Sequence, residues 1–310
     1  MKVLVTGGTG FLGTALCLRL QQQGHEAVPL NSSNCDLRRA DSLQAFSNVS
    51  YDQIYHLAAW TQAGDFCIRH PGEQWIINQQ INTNLLAWWQ KCQPQAKLIC
   101  TGTSGAYGRD LELVEDNYLL GLPVDSLFAY AMTKRMLYVG LLALQKQFGL
   151  KFLCVVPSTL YGPGYHTDGR PMHFIFDLIR KILRGKLYGE PVVLWGDGYQ
   201  TREIVYVEDL AALTLQLAGT CENDLINIGA GREFSMRDYA RLICEQVGYD
   251  PSLIQFDISR PVDTRSRCLS IRKLLRLVPA LPLTPVQTGL ARTIEWFQLK
   301  HPTVLAKNPP

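Results

Sequence analysis

The chain predicts an α/β protein: a doubly wound parallel sheet with a smaller carboxyl-terminal domain. Three observations carry that expectation. In the first half, short β-branched runs alternate with longer segments of helical period, the pattern of a parallel sheet covered on both faces by helices. The first run empties directly into a glycine-rich loop. After Pro157 the texture changes, with Gly162, Pro163, Gly164, Gly169 and Pro171 crowded together.

In order, strands are expected at 2–6, 26–30, 53–58, 97–101 and 151–156, and helices between them at 11–23, 42–47, 72–92 and 125–148. A helical stretch at 173–184, a strand at 192–195 and a last helix at 288–299 follow, ending in the tail 307–310. Residues 1–160 with about 200–230 then form the nucleotide-binding unit, and about 161–199 with 231–310 the substrate unit. Hydrophobic residues are 47% and charged residues 18% of the 310, enough apolar surface to bury a core and exclude a disordered chain. Thirty basic against twenty-seven acidic side chains, with no block of like charge, give no footing for a nucleic-acid or membrane-surface partner. Nine single cysteines without a Cys-x-x-Cys pair read as reduced thiols of a cytoplasmic protein. No apolar run is read as long enough to span a bilayer, and the glycine loop cuts the amino-terminal stretch short, so neither an anchor nor an export signal is expected. Of the six histidines only His166 and His173 lie close in sequence, so no metal is expected.

The loop reads Thr6-Gly7-Gly8-Thr9-Gly10-Phe11-Leu12-Gly13, between a strand and a helix. Glycines there let the backbone turn tightly and approach a pyrophosphate, while the new helix offers free amides and its positive dipole end. A dinucleotide is the expected ligand; alone, the string also suits a flavin, a methyl-transfer cofactor or a plain tight turn. An acidic residue closing the second strand would hold the ribose hydroxyls of NAD, but the chain has Leu30-Asn31-Ser32-Ser33-Asn34, with Arg38 and Arg39 in reach of a 2′-phosphate. NADP is therefore expected ahead of NAD. Asp36 and Leu37 would flank the adenine.

Tyr130-Ala131-Met132-Thr133-Lys134 puts a phenol and an ammonium on one helical face. A carbonyl reductase needs an acid to protonate the oxygen as hydride arrives, and a nearby cation makes a phenol a usable proton shuttle. An exposed helical pair would look the same. Position adds weight: the pair follows a strand ending in Thr101-Gly102-Thr103-Ser104-Gly105-Ala106-Tyr107-Gly108, and ligands bind at the carboxyl ends of parallel strands. His56, closing an apolar strand, reads as a core or cofactor-edge residue.

Together with Tyr55-His56-Leu57-Ala58-Ala59 and Leu160-Tyr161-Gly162-Pro163, these segments resemble the extended short-chain dehydrogenase/reductase family of nucleotide-sugar enzymes. Residues 78–86, 173–181 and Val193-Leu194-Trp195-Gly196-Asp197-Gly198 with Arg202-Glu203 are most similar to its GDP-fucose synthase branch, so the resemblance covers almost the whole chain. It implies a Rossmann fold, a nucleotide-sugar substrate and a homodimer built on the helices bearing Trp75, Trp88, Trp89 and residues 136–144, which are apolar on more than one face. It makes Thr103 the hydroxyl on the sugar oxygen, Tyr130 the general acid, Lys134 its electrostatic partner and a ribose ligand, and His173 the family's catalytic histidine. The cofactor would be lined by Gly7, Gly10, Phe11, Leu12 and Gly13, by Asn31, Asp36 and Leu37, by Leu57, Ala58 and Ala59, and by Pro157. Thr159, His173 and Trp195, the last near the base, would meet the substrate. Arg202 would meet the nucleotide sugar, and Arg267, with Arg260, its diphosphate.

The chain departs from that pattern at two places in one loop. Gly105 stands where the branch carries its epimerising cysteine, and Ser104-Gly105 replaces the Asp-Glu of 4,6-dehydratases. Glycine moves no proton. The expected reaction is NADPH-dependent reduction of the C4 keto group of a 4-keto-deoxy sugar, with C3/C5 epimerisation left without its cysteine. A redox-neutral NAD-dependent 4-epimerase is the alternative enzyme, and a non-catalytic dinucleotide sensor the alternative of another class. A sensor has no need of Thr103, Tyr130 and Lys134.

Overall fold

The computed structural model describes residues 1–259, 264–300 and 305. In chain order the elements are β1 (Lys2–Thr6), α1 (Phe11–Gln22), β2 (Glu26–Leu30), β3 (Gln53–His56), α2 (Phe66–Arg69), α3 (Pro71–Cys92), β4 (Lys97–Thr101), α4 (Phe128–Phe148) and β5 (Phe152–Pro157). Then come β6 (Thr159–Tyr161), α5 (Phe174–Tyr188), β7 (Val192–Trp195), β8 (Thr201–Arg202), β9 (Ile204–Tyr206), α6 (Val207–Thr220) and β10 (Asp224–Ile228). The chain closes with β11 (Phe234–Ser235), α7 (Met236–Val247), β12 (Ile254–Asp257), α8 (Arg272–Leu277) and α9 (Val286–Lys300).

One six-stranded sheet, ordered β10-β5-β4-β3-β1-β2 and parallel throughout, is the frame. Its inner strands are buried on both faces, so they read as continuous apolar runs and not as alternation. Leu4, Ile54, Leu98 and Phe152 face the core under α3 and α4, while Val3, Val5, Ile99 and Val155 face α1 and α6. A third cluster joins α5, α7 and α9, with Phe176, Tyr239, Ile243 and Phe297 at its centre. Three two-stranded pairs, β6 with β9, β7 with β12 and β8 with β11, lie outside the main sheet.

Several boundaries differ from the expectation. The helix expected at 42–47 is a single 3-10 turn, Gln44–Phe46, because six residues are too few for a stable α-helix without strong packing. The strand expected at 53–58 stops at His56, and the helix expected from 125 opens with a 3-10 turn, Asp125–Leu127, before α4. His173 is not in a helix: it is the residue before α5. Between 200 and 230 lie β9, α6 and β10, the last an edge strand of the main sheet that the alternation had not separated.

The absence of a membrane-length segment also needs amending. Among the described residues one helix, Asp125–Phe148, is long and apolar enough to cross a membrane by length and composition. In the fold it packs on α3 and buries Thr133, Lys134 and Arg135 beside Leu137 and Leu141. The tryptophan stripe divides: Trp88 and Trp89 enter the core, while Trp75 stays on the surface with Ile76 of α3 and Met136, Val139 and Leu142 of α4.

Candidate active site

The glycine loop is shaped by two close approaches. Gly7 has φ +67°, and a Cβ there would stand 2.9 Å from the Ala58 nitrogen. A Cβ on Gly13 would fall on the Gly7 carbonyl oxygen, far inside contact distance, so only glycine lets α1 start this close to β1. Gly10 donates from its amide to the Gly7 carbonyl at 3.0 Å and occupies the N-cap of α1 without a side chain. The first amides of α1, those of Phe11, Leu12 and Gly13, therefore meet no capping side chain, which is the arrangement an anionic pyrophosphate requires. The Phe11 ring turns away, edge-on to Tyr165 at 5.2 Å and Phe176 at 5.8 Å.

At the end of β2 the Asn31 carboxamide closes its own turn, accepting from the Ser33 and Asn34 amides at 2.9 and 3.1 Å. Asp36 is gripped by Arg38 through two hydrogen bonds of 2.8 and 2.7 Å, which hold its carboxyl below its usual range. Arg39 pairs with Asp41 at 3.2 Å. Leu37 is a core residue whose carbonyl accepts from Asn84 at 2.8 Å, so its side chain packs inward.

A chain of polar groups then crosses the sheet. The Ala58 amide donates to Thr6 Oγ1 at 3.3 Å, the Thr6 hydroxyl to His56 Nδ1 at 2.8 Å, and His56 Nε2 to Asn82 Oδ1 at 3.0 Å. Asn82 Nδ2 donates in turn to the Thr133 carbonyl at 3.4 Å, and the Thr133 hydroxyl to the Tyr130 carbonyl at 2.7 Å. His56 is fully buried, and burial lowers its pKa to about 4, so it is neutral with one donor and one acceptor. The sequence places His56 in the core or at the cofactor edge, but does not show Thr6, Asn82 and Thr133 as its neighbours in this chain, which are joined across 26 to 52 residues.

Tyr130 and Lys134 occupy one face of α4. The Lys134 ammonium, 4% exposed, donates to the Thr101 carbonyl at 2.8 Å, and burial lowers its pKa. Tyr130 is half-buried, and burial, with the Cys67 thiol adding, raises its phenol above its ordinary value. Its hydroxyl has no hydrogen-bond partner among the described residues. Thr103, half-buried at the end of β4, donates from its amide to the Tyr118 hydroxyl at 3.3 Å, and its Oγ1 accepts from the Gly105 amide at 3.2 Å. A Cβ on Gly105 would lie 3.4 Å from Thr103 Oγ1 and 3.1 Å from Leu127 Cδ1. Position 105 thus borders the Thr103 hydroxyl and offers it no proton-transfer group.

The remaining candidates gather from the later elements. Leu57 and Ala59, with Ala58, are half-buried in the loop after β3, and Pro157 closes β5 opposite Ile228. Thr159 opens β6. His173 donates its amide toward the Tyr165 hydroxyl at 3.4 Å, and packing around its ring, with His166 nearby, lowers its pKa although much of the residue is open. Trp195 ends β7 with half its surface exposed. Arg202 donates to the carbonyls of Thr201 and Thr264 at 2.7 and 2.9 Å. Arg267 reaches the Ser104 carbonyl at 2.9 Å, and its buried Nε has no partner among the described residues. Burial and the charge of Arg202 lower its pKa to about 10. Two like charges are therefore in reach of each other beside the Thr103 loop. Arg260 and the tail 307–310 lie outside the described residues.

Glu203 was noted only as part of a motif. It is 2% exposed, and its carboxylate accepts from the Gly231 amide at 2.6 Å and the Leu269 amide at 3.0 Å. Burial raises its pKa to about 7. It joins the loop after β10 to the segment that carries Arg267.

The model of the NAD dependent epimerase/dehydratase family matches residues 3–229. A GDP-L-fucose synthase of Dictyostelium discoideum is 30% identical over 310 residues, covering 95% of this chain and 94% of its own. A GDP-L-fucose synthetase of Naegleria fowleri superposes with a TM-score of 0.89 at 25% identity, over 98% of this chain and 95% of that one; it is also known bound to NADP. A UDP-glucose 4-epimerase of Thermotoga maritima superposes with a TM-score of 0.84 at 25% identity, over 96% of this chain and 99% of that one.

The buried imidazole makes stability depend on pH. An unfolded histidine titrates near 6.5 and His56 near 4, so between those values the unfolded chain holds a proton that the folded one does not, and stability falls as pH falls. Between pH 7 and 5 the wild type should lose about 2 kcal/mol more than His56→Gln in urea unfolding. Equal losses in the two proteins would contradict the neutral, buried state of His56.

Proposed function

The chain belongs to the NAD dependent epimerase/dehydratase family, the extended short-chain dehydrogenases/reductases, and from that premise we propose that it reduces a 4-keto nucleotide sugar at C4 with NADPH. Membership makes it an NAD(P)-dependent enzyme of nucleotide sugars. The observation that carries the finer reading is Gly105 beside the Thr103 hydroxyl, with Tyr130 and Lys134 retained on α4: the parts for ketone reduction are present and the cysteine for epimerisation is not.

The nicotinamide, when bound, supplies a hydride to carbon. The protein's part is the proton and the orientation. Burial keeps the Tyr130 phenol protonated at neutral pH and thus a donor to the sugar oxygen, while the buried Lys134 cation opposes the build-up of negative charge as the proton leaves. Thr103 is assigned to hydrogen-bond the same oxygen, and His173 to border the sugar. The charge of Arg202 disfavours the charged form of Arg267, an effect that a diphosphate bound by both would relieve. Support for a GDP-linked substrate comes from the Dictyostelium and Naegleria relatives. NADP over NAD rests on the lack of a carboxylate at Asn31 and on the NADP-bound Naegleria relative. The likeness to the Thermotoga epimerase keeps a redox-neutral 4-epimerase with tightly held NAD as the second reading.

The exposed apolar faces of α3 and α4, carrying Trp75, Ile76, Met136, Val139 and Leu142, support a homodimer through these two helices. Nine free cysteines and a balanced surface charge support a cytoplasmic site of action.

With a GDP-4-keto-6-deoxy sugar, NADPH should be consumed one for one with product, and Tyr130→Phe should lower kcat at least about 100-fold without weakening NADPH binding. Turnover without NADPH consumption would favour the epimerase instead. Product made in deuterated water should carry no deuterium at C3 or C5; label at both positions would overturn the absence of epimerisation. Light scattering should give about twice the 34.8 kDa chain mass, and a monomer at micromolar concentration would rule the dimer out.

A further inference from the structure

Arg135 follows Lys134 on α4 and is likewise buried in the protein. It is 5% exposed, and no carboxylate pairs with it among the described residues. Its guanidinium is satisfied by carbonyls alone: Nε donates to Ala106 at 2.8 Å, Nη1 to Gly121 at 2.7 Å and Nη2 to Leu120 at 2.8 Å. Removing a guanidinium from water without a counter-charge is costly, and these three hydrogen bonds are what offset it. What those acceptors share is Thr103. The Ala106 amide donates to the Thr103 carbonyl at 3.0 Å, closing the 3-10 turn that begins there. Leu120 and Gly121 lie two and three residues after Tyr118, whose hydroxyl accepts from the Thr103 amide. Tyr118 is itself fixed edge-on between Tyr107 at 5.2 Å and Tyr138 at 5.7 Å.

We infer that Arg135 is a positioning residue: by gripping, from the helix that carries Tyr130, the two segments that hydrogen-bond the Thr103 backbone, it sets the placement of the Thr103 hydroxyl relative to the Tyr130 phenol. The inference rests on the roles proposed above for those two residues. Three diverging donors on a planar group can hold three carbonyls at once, whereas a lysine presents one compact ammonium and cannot span them. Displacement of a substrate-positioning group by about 1 Å is enough to lower turnover up to about 100-fold.

The test is a double-mutant cycle of Arg135→Lys and Thr103→Ala, read as kcat, KM for the keto sugar and Kd for NADPH. If Arg135 acts through Thr103, Arg135→Lys alone lowers kcat about 10- to 100-fold with NADPH affinity unchanged, yet changes kcat less than about two-fold when added to Thr103→Ala. Full multiplication of the two losses, or an unchanged kcat for Arg135→Lys, overturns the inference while leaving the reaction assignment intact. A Thr103→Ala variant with wild-type kcat overturns the role of Thr103 and, with it, this inference. If Arg135→Lys no longer binds NADPH, the cycle is repeated with Arg135→Gln, and loss of NADPH binding in both variants overturns a positioning role in favour of a folding one.

Discussion

His56 has to remain neutral where it stands. It has no solvent, its neighbours Thr6 and Asn82 are uncharged, and the nearby Lys134 cation lowers its pKa further. A neutral imidazole has one donor and one acceptor on opposite sides of a rigid ring, and here each finds one partner. That single ring therefore fixes the end of β1 against the end of β3 and both against α3. Through Asn82 and Thr133 the same chain reaches the backbone of Tyr130. The glycine loop and the backbone of Tyr130 are thus held by one continuous set of hydrogen bonds whose members come from four separate elements.

The cations of the site share another property. Lys134, Arg135 and Arg267 all donate to backbone carbonyls, those of Thr101, of Ala106, Leu120 and Gly121, and of Ser104, and no carboxylate pairs with their side chains among the described residues. A carbonyl accepts a hydrogen bond without cancelling the charge, so the field of each cation persists in a region of low dielectric. A buried carboxylate in the same place would have quenched it. In the proposed reaction, an anionic nucleotide and a developing phenolate would both meet positive charge that no carboxylate cancels among the described residues.

Much of this was legible because it is local. The strand, glycine loop and helix of residues 2–22 are contiguous, and the Tyr130 and Lys134 pair needs only helical spacing to be read. The apolar runs of β3, β4 and β5 announced buried parallel strands. What could not be read depends on contacts between distant segments. Nothing near Arg135 in sequence shows that its acceptors lie at 106, 120 and 121, and a buried Asn82 reads as an ordinary polar helical residue. The short run at 42–47 has helical composition but too little length, and Leu37 looks like a cofactor neighbour until the core closes over it. The arginines at 38 and 39 read as free cations in sequence, whereas in the fold each is held by an aspartate two residues away.

Glu203 gives the molecule its lack of modularity. The family model stops at residue 229, and the backbone amides that receive this carboxylate belong to Gly231 and Leu269, beyond that limit. A Cβ on Gly229 would fall on the same carboxylate, so the surroundings were shaped around it on both sides of the boundary. A chimera joined at that boundary would set a buried acidic group against a foreign loop, with its donors displaced and its charged form disfavoured further. An exchange of carboxyl-terminal segments between relatives therefore keeps these hydrogen bonds only when the residues flanking Gly231 and Leu269 travel together with Glu203, which lies between β8 and β9.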